Sequence, residues 1–213
     1  MHSNKIEARK RELKLTNRQK DILIGKLLGD GHLETQDGGR TYRLKIEHSV
    51  KQKEYVDWLY EEFRDWVLTP PQVRRRFVVL RTVAGEYGKC WFNTLSSGLF
   101  RFYAHQFYKE RKIVPRLIKK MLTPLAIAVW FMDDGSIKSK THRTVFFNTH
   151  GFDTGSIRLL QKALLEKFGI KTSIRKEKYG KQIYLLSETI DKFAAIIAPY
   201  IHPSMRYKIP KNW

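Results

Sequence analysis

Two segments of the chain end an apolar run on an aspartate flanked by glycine. Residues 23–34 read LIGKLLGDGHLE and close on Gly29-Asp30-Gly31, and residues 124–138 read PLAIAVWFMDDGSIK and close on Asp133-Asp134-Gly135. A helix C-terminus carries partial negative charge, so an aspartate there is disfavoured by a few tenths to about 1 kcal/mol. A divalent cation offsets that penalty, and Mg²⁺ in particular is held by one or two carboxylates while keeping water and phosphate oxygens as its other ligands. Paired sites of this kind suit phosphodiester hydrolysis, in which cations polarise the scissile phosphate and activate water. For one Asp-Gly alone, a helix-ending turn is the simpler reading. Repetition of the whole context favours the metal.

The elements that must position these acids are also written in the sequence. Thr16-Asn17-Arg18-Gln19 is a capping box that starts the first helix, Ile22, Leu23 and Leu27 mark its apolar face, and Gly31 is the expected stop. Thr123 and Pro124 start the second helix, and Gly135 is expected to end it. Gly25 and Gly29, four residues apart on one face, allow another backbone to come close. Asp134 follows Asp30 by 104 residues, Leu186 follows Leu95 by 91, and Lys208 follows Lys112 by 96. Such similar offsets indicate one unit duplicated, with small insertions between the copies. This divides the chain into a basic arm (1–15), a first repeat (16–121) and a second repeat (122–213).

Each repeat reads as helix, strands, helix, hairpin, helix, which gives a mixed sheet with helices on one side and an α/β (α+β) fold for the two units together. In the first, residues 41–50 alternate Arg43, Lys45 and Glu47 against Tyr42, Leu44 and Ile46, the period of a half-buried strand. Residues 51–66 then have helical spacing, residues 73–82 and 87–94 flank an expected turn at Ala84-Gly85-Glu86, and a helix is expected over 97–111. The second repeat offers a strand at 143–149, a helix over 153–168 stopped by Gly169, a hairpin of 172–177 with 181–186, and a helix over 187–200.

Composition narrows the class. In 213 residues, 42% are hydrophobic and 13% aromatic, enough for a substantial core. The 41 Lys and Arg exceed the 21 Asp and Glu to give a net charge of +20, which points to a polyanionic partner. The apolar run around 126–132 is far shorter than the roughly 20 residues of a membrane span. Together with the absence of a signal-peptide pattern, this leads us to expect a soluble, non-secreted, intracellular protein, bacterial, archaeal or organellar. Cys90 is alone and the seven histidines lack ligand spacing, so neither a disulfide nor a structural zinc is expected. The basic residues of segment 1–20 are expected to lie on phosphates.

The paired segments, 23–31 and 127–135, resemble the two motifs of the LAGLIDADG homing endonucleases in their monomeric form, and the likeness extends from about residue 15 to 210. The second motif departs from the family at Val129 and Asp133, where small residues are usual. The resemblance implies two pseudo-symmetric αββαββα units forming a saddle, with motif helices at the interface and two antiparallel sheets on double-stranded DNA. It implies a site-specific endonuclease that makes a double-strand break and promotes intron mobility. Asp30 and Asp134 would be its metal carboxylates, with the backbone carbonyls of Gly29 and Asp133 as further ligands. Lys112 and Lys208 would organise water around the scissile phosphates. Mg²⁺ is the implied cofactor, with Mn²⁺ substituting and Ca²⁺ binding without supporting cleavage.

A β-ribbon fits the DNA major groove and presents alternate side chains to base edges. The strand phase selects Arg43, Lys45, Glu47, Lys89, Trp91 and Asn93 in the first repeat, with Arg74 and Arg76 chosen from a run of ambiguous phase. In the second it selects Ser173, Arg175, Glu177, Gln182 and Tyr184. The competing reading is a binding protein of the same fold, either an RNA maturase acting on its intron or a DNA-binding repressor that does not cut. No RNP-type aromatic motif or GXXG loop supports a more distant RNA-binding domain.

Overall fold

A computed structural model describes residues 2–80, 83–139, 143–210 and 213. It divides into two compact units, one made of residues 1–19 and 30–102, the other of residues 20–29 and 103–213. The units cut across the repeats read from the sequence, because most of the first motif helix belongs with the second unit.

The first unit begins with α1 (His2–Glu12), where the sequence suggested only an arm; Arg9 donates to the carbonyls of Arg64 and Asp65. Helix α2 (Asn17–Leu28) starts at the expected capping box: the Gln19 amide donates to Thr16 Oγ1 at 3.1 Å, and the Thr16 amide to Gln19 Oε1 at 3.0 Å. Four strands follow, β1 (His32–Glu34), β2 (Arg43–Ser49), β3 (Gln72–Leu80) and β4 (Val83–Asn93), in the antiparallel order β1-β2-β4-β3. Helix α3 (Lys53–Glu62) lies between β2 and β3 in the chain, and its Tyr55, Val56 and Leu59 are buried with Leu44, Ile46, Cys90 and Phe92 of the sheet's inner face. The hairpin turn is not at Ala84-Gly85-Glu86: the pairing of Leu80 with Val83 puts those three residues within β4. Arg81 and Thr82 lie outside the described residues.

The second unit contains the rest of α2, the body of α4 (Arg101–Phe107), α5 (Ile118–Met121) and α6 (Pro124–Asp134). It continues with β5 (Gly135–Ile137), β6 (Val145–Asn148), α7 (Thr154–Phe168), β7 (Thr172–Glu177), β8 (Gly180–Leu185) and α8 (Ile190–Ile197), the sheet running β5-β6-β8-β7. Helix α6 is apolar on every side and buried through Asp133, as a central helix must be. Trp130 and Phe131 pack on Phe147, and Phe131 and Phe147 both meet Phe193 edge-on. The helix expected over 97–111 stops at Phe107 because the Ile113 amide returns to the Phe107 carbonyl and folds the chain back. The helix expected over 187–200 is helical only over α8, with short 3-10 turns on either side.

Neither motif glycine acts as a left-handed stop. Positive φ among the described residues is confined to Gly38, Gly39, Gly169 and Gly180. Gly135 is extended, at φ −72°, and leads straight into β5; a side chain there would collide with the ring and carbonyl of Phe131. Space, not backbone handedness, requires that glycine. Strands β1 and β5, which follow the two motifs directly, were too short to be read from the sequence.

Asp153 caps α7, accepting from the Ser156 amide at 2.8 Å, and that bond chiefly holds its carboxyl below the ordinary aspartate range. A carboxyl whose pKa is lowered by folding stabilises the fold above the unfolded value and ceases to do so as pH falls through the folded value. Asp153→Ala is therefore expected to cost about 1 kcal/mol at pH 7. In urea unfolding the deficit relative to wild type should shrink as the pH falls below the ordinary aspartate range; a deficit independent of pH would contradict the assignment.

Candidate functional site

The second unit gathers residues 20–29, the helical part of the first motif, and the whole of the second motif. Gly25 of α2 and Gly29, the residue that follows the helix, face α6 at backbone distance: a Cβ on Gly25 would lie 2.5 Å from the Ala126 carbonyl and 2.6 Å from Val129 Cβ, and one on Gly29 would lie 2.5 Å from Asp133 Cβ. The larger residues Val129 and Asp133 are accommodated because each faces a glycine. Lys26 and Asp133, both with fully buried side chains, form a two-pronged ion pair, Nζ lying 2.8 Å from Oδ1 and 2.7 Å from Oδ2. Of the two adjacent acids at the end of α6, Asp133 is thus committed to the helix pair. Asp134 is only half-buried, and its backbone carbonyl accepts from Asn148 Nδ2 at 3.0 Å.

The two lysines chosen from the sequence make matching contacts. Lys112 Nζ donates to the Gly29 carbonyl at 2.6 Å, and Lys208 Nζ donates to the Asp133 carbonyl at 2.5 Å. Each lysine holds the carbonyl of the residue just before a motif aspartate, and carbonyls at helix C-termini lack intrahelical partners. These oxygens therefore already face positive charge. A hard cation such as Mg²⁺ takes oxygen donors of this type, carboxylate and carbonyl, so the residues present fit it.

In the first unit, Asp30 is about half exposed (49%), and its Oδ2 is 3.7 Å from Nδ1 of the buried His48. His48 Nδ1 is also 3.0 Å from Gln52 Oε1. The sheet register places Arg43, Lys45, Glu47, Arg74, Arg76, Lys89, Trp91 and Asn93 on one face, and all of them, with Asp30, line a groove of about 860 Å³. Pairing of Arg74 with Lys89 and of Arg76 with Tyr87 fixes the phase that the sequence left open. Several charges on this face are paired: Glu34 receives Arg43 at 2.9 Å and Lys45 at 3.4 Å, and Lys89 reaches Glu47 at 2.5 Å. Partial burial pushes the Glu34 carboxyl up, but bonds from Arg43 and His32 and the charge of Lys45 outweigh it and leave the pKa below the usual range. Sequence reading missed Glu34, His48, Gln52 and Tyr87 of the groove lining: Glu34 lies on the unrecognised strand β1, His48 and Gln52 join the lining only through tertiary placement, and Tyr87 shares the phase of Lys89, Trp91 and Asn93 that would have found it.

In the second unit, Ser173, Arg175 and Glu177 share a face with Gln182 and Tyr184. The last two are on the selected face but covered. Tyr184 is stacked on Phe146 at 4.8 Å and capped by the Arg175 guanidinium at 4.1 Å from its ring centre, while Gln182 donates to Asn148 Oδ1 at 2.7 Å. Phe146 and Asn148 belong to the same face and were not selected from the sequence. Lys10, expected on phosphate, bonds Glu7 at 2.8 Å. Among the described residues, no helix is long and apolar enough to cross a membrane.

Comparison with known proteins bears on this arrangement. The family model described as the LAGLIDADG DNA endonuclease family matches residues 20–193. The DNA endonuclease I-ChuI of Chlamydomonas applanata is 30% identical over 210 residues, covering 92% of this chain and 96% of that protein. The cytochrome b mRNA maturase bI2 of Saccharomyces cerevisiae is 31% identical over 204 residues, covering 88% of this chain but 46% of that protein. Among solved structures, the homing endonuclease I-WcaI bound to its DNA recognition sequence superposes with a TM-score of 0.86 at 26% identity, covering 95% of this chain and 91% of that one.

The buried ion pair can be tested alone. Removing one partner leaves an uncompensated buried charge, which costs about 3–5 kcal/mol, whereas replacing both by apolar groups is often neutral or better. Lys26→Met and Asp133→Ala are each expected to destabilise by that amount in chemical denaturation, and the double variant to recover most of the loss. Additive losses would show that the two charges are not coupled.

Proposed function

The chain belongs to the LAGLIDADG DNA endonuclease family, and from that membership we propose that it is a site-specific homing endonuclease, making a divalent-metal-dependent double-strand break in a long DNA target and so promoting intron mobility. The observation that supports this reading most directly is the matched pair of lysine contacts, Lys112 on Gly29 and Lys208 on Asp133, each beside an aspartate at a helix end. Asp30 and Asp134, with the carbonyls of Gly29 and Asp133, would hold Mg²⁺, for which Mn²⁺ is expected to substitute. When bound, the metal supplies Lewis-acid polarisation of the phosphate and activation of water. The chain's own contribution is to fix the oxygen donors, to place Lys112 and Lys208 where positive charge stabilises the transition state, and to orient the duplex.

Orientation falls to the two sheet faces. Arg43, Lys45, Arg74, Arg76 and Lys89 in the first unit and Arg175 in the second offer donors of the kind that read guanine edges or hold phosphates, and Trp91 and Asn93 add apolar and amide contacts. A net charge of +20 makes binding strongly salt-dependent, through release of counterions from the DNA. Two motifs in one chain suit a monomer, working inside the cell. A second reading, that the chain assists splicing of its own intron RNA, is supported by the similarity to the yeast maturase bI2.

The two readings separate on an uninterrupted DNA site made by joining the sequences that flank the host intron. Wild type with Mg²⁺ is expected to cut both strands, whereas EDTA, or Asp134→Asn with Mg²⁺, abolishes cleavage. Tight binding without cleavage under every condition would contradict the endonuclease reading and leave the RNA role.

A further inference from the structure

We infer that Lys112 and Lys208, bonded to the carbonyls of Gly29 and Asp133, compete with divalent metal for those oxygens, so that metal must displace their ammonium groups to bind. This rests on the metal sites proposed above and adds a role for the two lysines before any DNA arrives: they set the metal affinity. The contact occurs twice, with no residue in common, at 2.6 Å and 2.5 Å, and both times on the carbonyl that precedes a motif aspartate. Both lysines are half-buried, which holds their charge against the helix ends.

A carbonyl oxygen has two lone pairs and can in principle accept from two groups. A divalent ion about 2.1 Å from that oxygen would nevertheless sit within a few ångströms of the ammonium bonded to it, and like charges at such range repel strongly. Metal arrival therefore drives the ammonium off. Lysine suits this exchange, because its point charge rides on a flexible four-carbon stem. Once displaced, the ammonium is released toward the next anion available, which in a DNA complex is phosphate. Metal loading and lysine positioning thus become one coupled event. An ordinary lysine cap on a helix C-terminus makes the same hydrogen bond, but it predicts the opposite response: removing it loosens the helix end and leaves metal binding unchanged or weaker.

Mn²⁺ titrations of the DNA-free full chain, followed by the electron paramagnetic resonance of free Mn²⁺ at constant ionic strength, distinguish the two. Lys112→Met and Lys208→Met are each expected to tighten Mn²⁺ binding about tenfold, the scale of a typical coupling between sites, and Lys112→Arg and Lys208→Arg to stay near wild type. Unchanged or weaker binding in the Met variants would overturn the inference. Wild type provides a check that needs no substitution: trace acetylation of Lys112 and Lys208, read by mass spectrometry, should rise on addition of Mg²⁺, and constant or falling labelling would overturn it. Asp30→Asn and Asp134→Asn identify the relevant ions. If Mn²⁺ binds wild type and is lost in these variants but the lysine results fail, only the displacement falls; if no Mn²⁺ depends on either aspartate, the proposed metal sites fall with it.

Discussion

The close approach of α2 and α6 within the second unit is the constraint on which the acidic ends depend. Gly25 lies against the Ala126 carbonyl and Val129, and Gly29 against Asp133, at distances that leave no room for a side chain. Packing this tight is short-range and steep, so one added methyl forces a backbone shift or an off-rotamer neighbour. It fixes where each helix ends, and therefore where the carbonyls of Gly29 and Asp133 point. The strands that follow each motif, β1 and β5, then leave those ends at once and carry the chain into the two sheets.

Charge refines what packing begins. Asp133 and Asp134 are neighbours in the chain with unlike surroundings: the first is fully buried on Lys26, the second is half-buried beside the sheet, its carbonyl held by Asn148. A buried ion pair is weak evidence of extra stability, since desolvation offsets much of the attraction. Its effect here is to assign the two acids, one to the helix pair and the other to the open end. On the first sheet, the ion pairs of Glu34 and Glu47 with Arg43, Lys45 and Lys89 hold long side chains in fixed positions along the groove. Fixing these side chains beforehand lowers the entropy lost when such a surface meets its partner.

Periodic and capping signals were legible in the sequence. Thr16 with Gln19, Thr123 with Pro124, Asp153 and Gly169 mark helix ends where the structure has them, and the alternation of Lys89, Trp91 and Asn93 against Cys90 and Phe92 matches exposure and burial in β4. The misses have local causes. Three-residue strands carry too few residues for a period to show, and the Ala84-Gly85-Glu86 turn was inferred from a glycine that β4 accommodates within a strand. Gly31 and Gly135 suggested left-handed stops because that is the commonest reason for glycine after a helix, whereas Gly135 answers a steric demand from Phe131. The sequence reading gave Lys26 no role; only the fold supplies its partner, 107 residues away. Gln182 and Tyr184 had the right phase, but Asn148, Phe146 and Arg175 cover them, which no strand period can reveal.

The most direct test of this account is Gly29→Ala, measured both by chemical unfolding and by cleavage of the uninterrupted target site. A methyl at Gly29 would lie 2.5 Å from Asp133 Cβ and from Asp133 Oδ2. The account predicts a loss of about 1–3 kcal/mol or more from overpacking, together with loss of cleavage under conditions where the variant remains folded. Wild-type stability with wild-type cleavage would contradict the claim that contact between the helix backbones positions the acids.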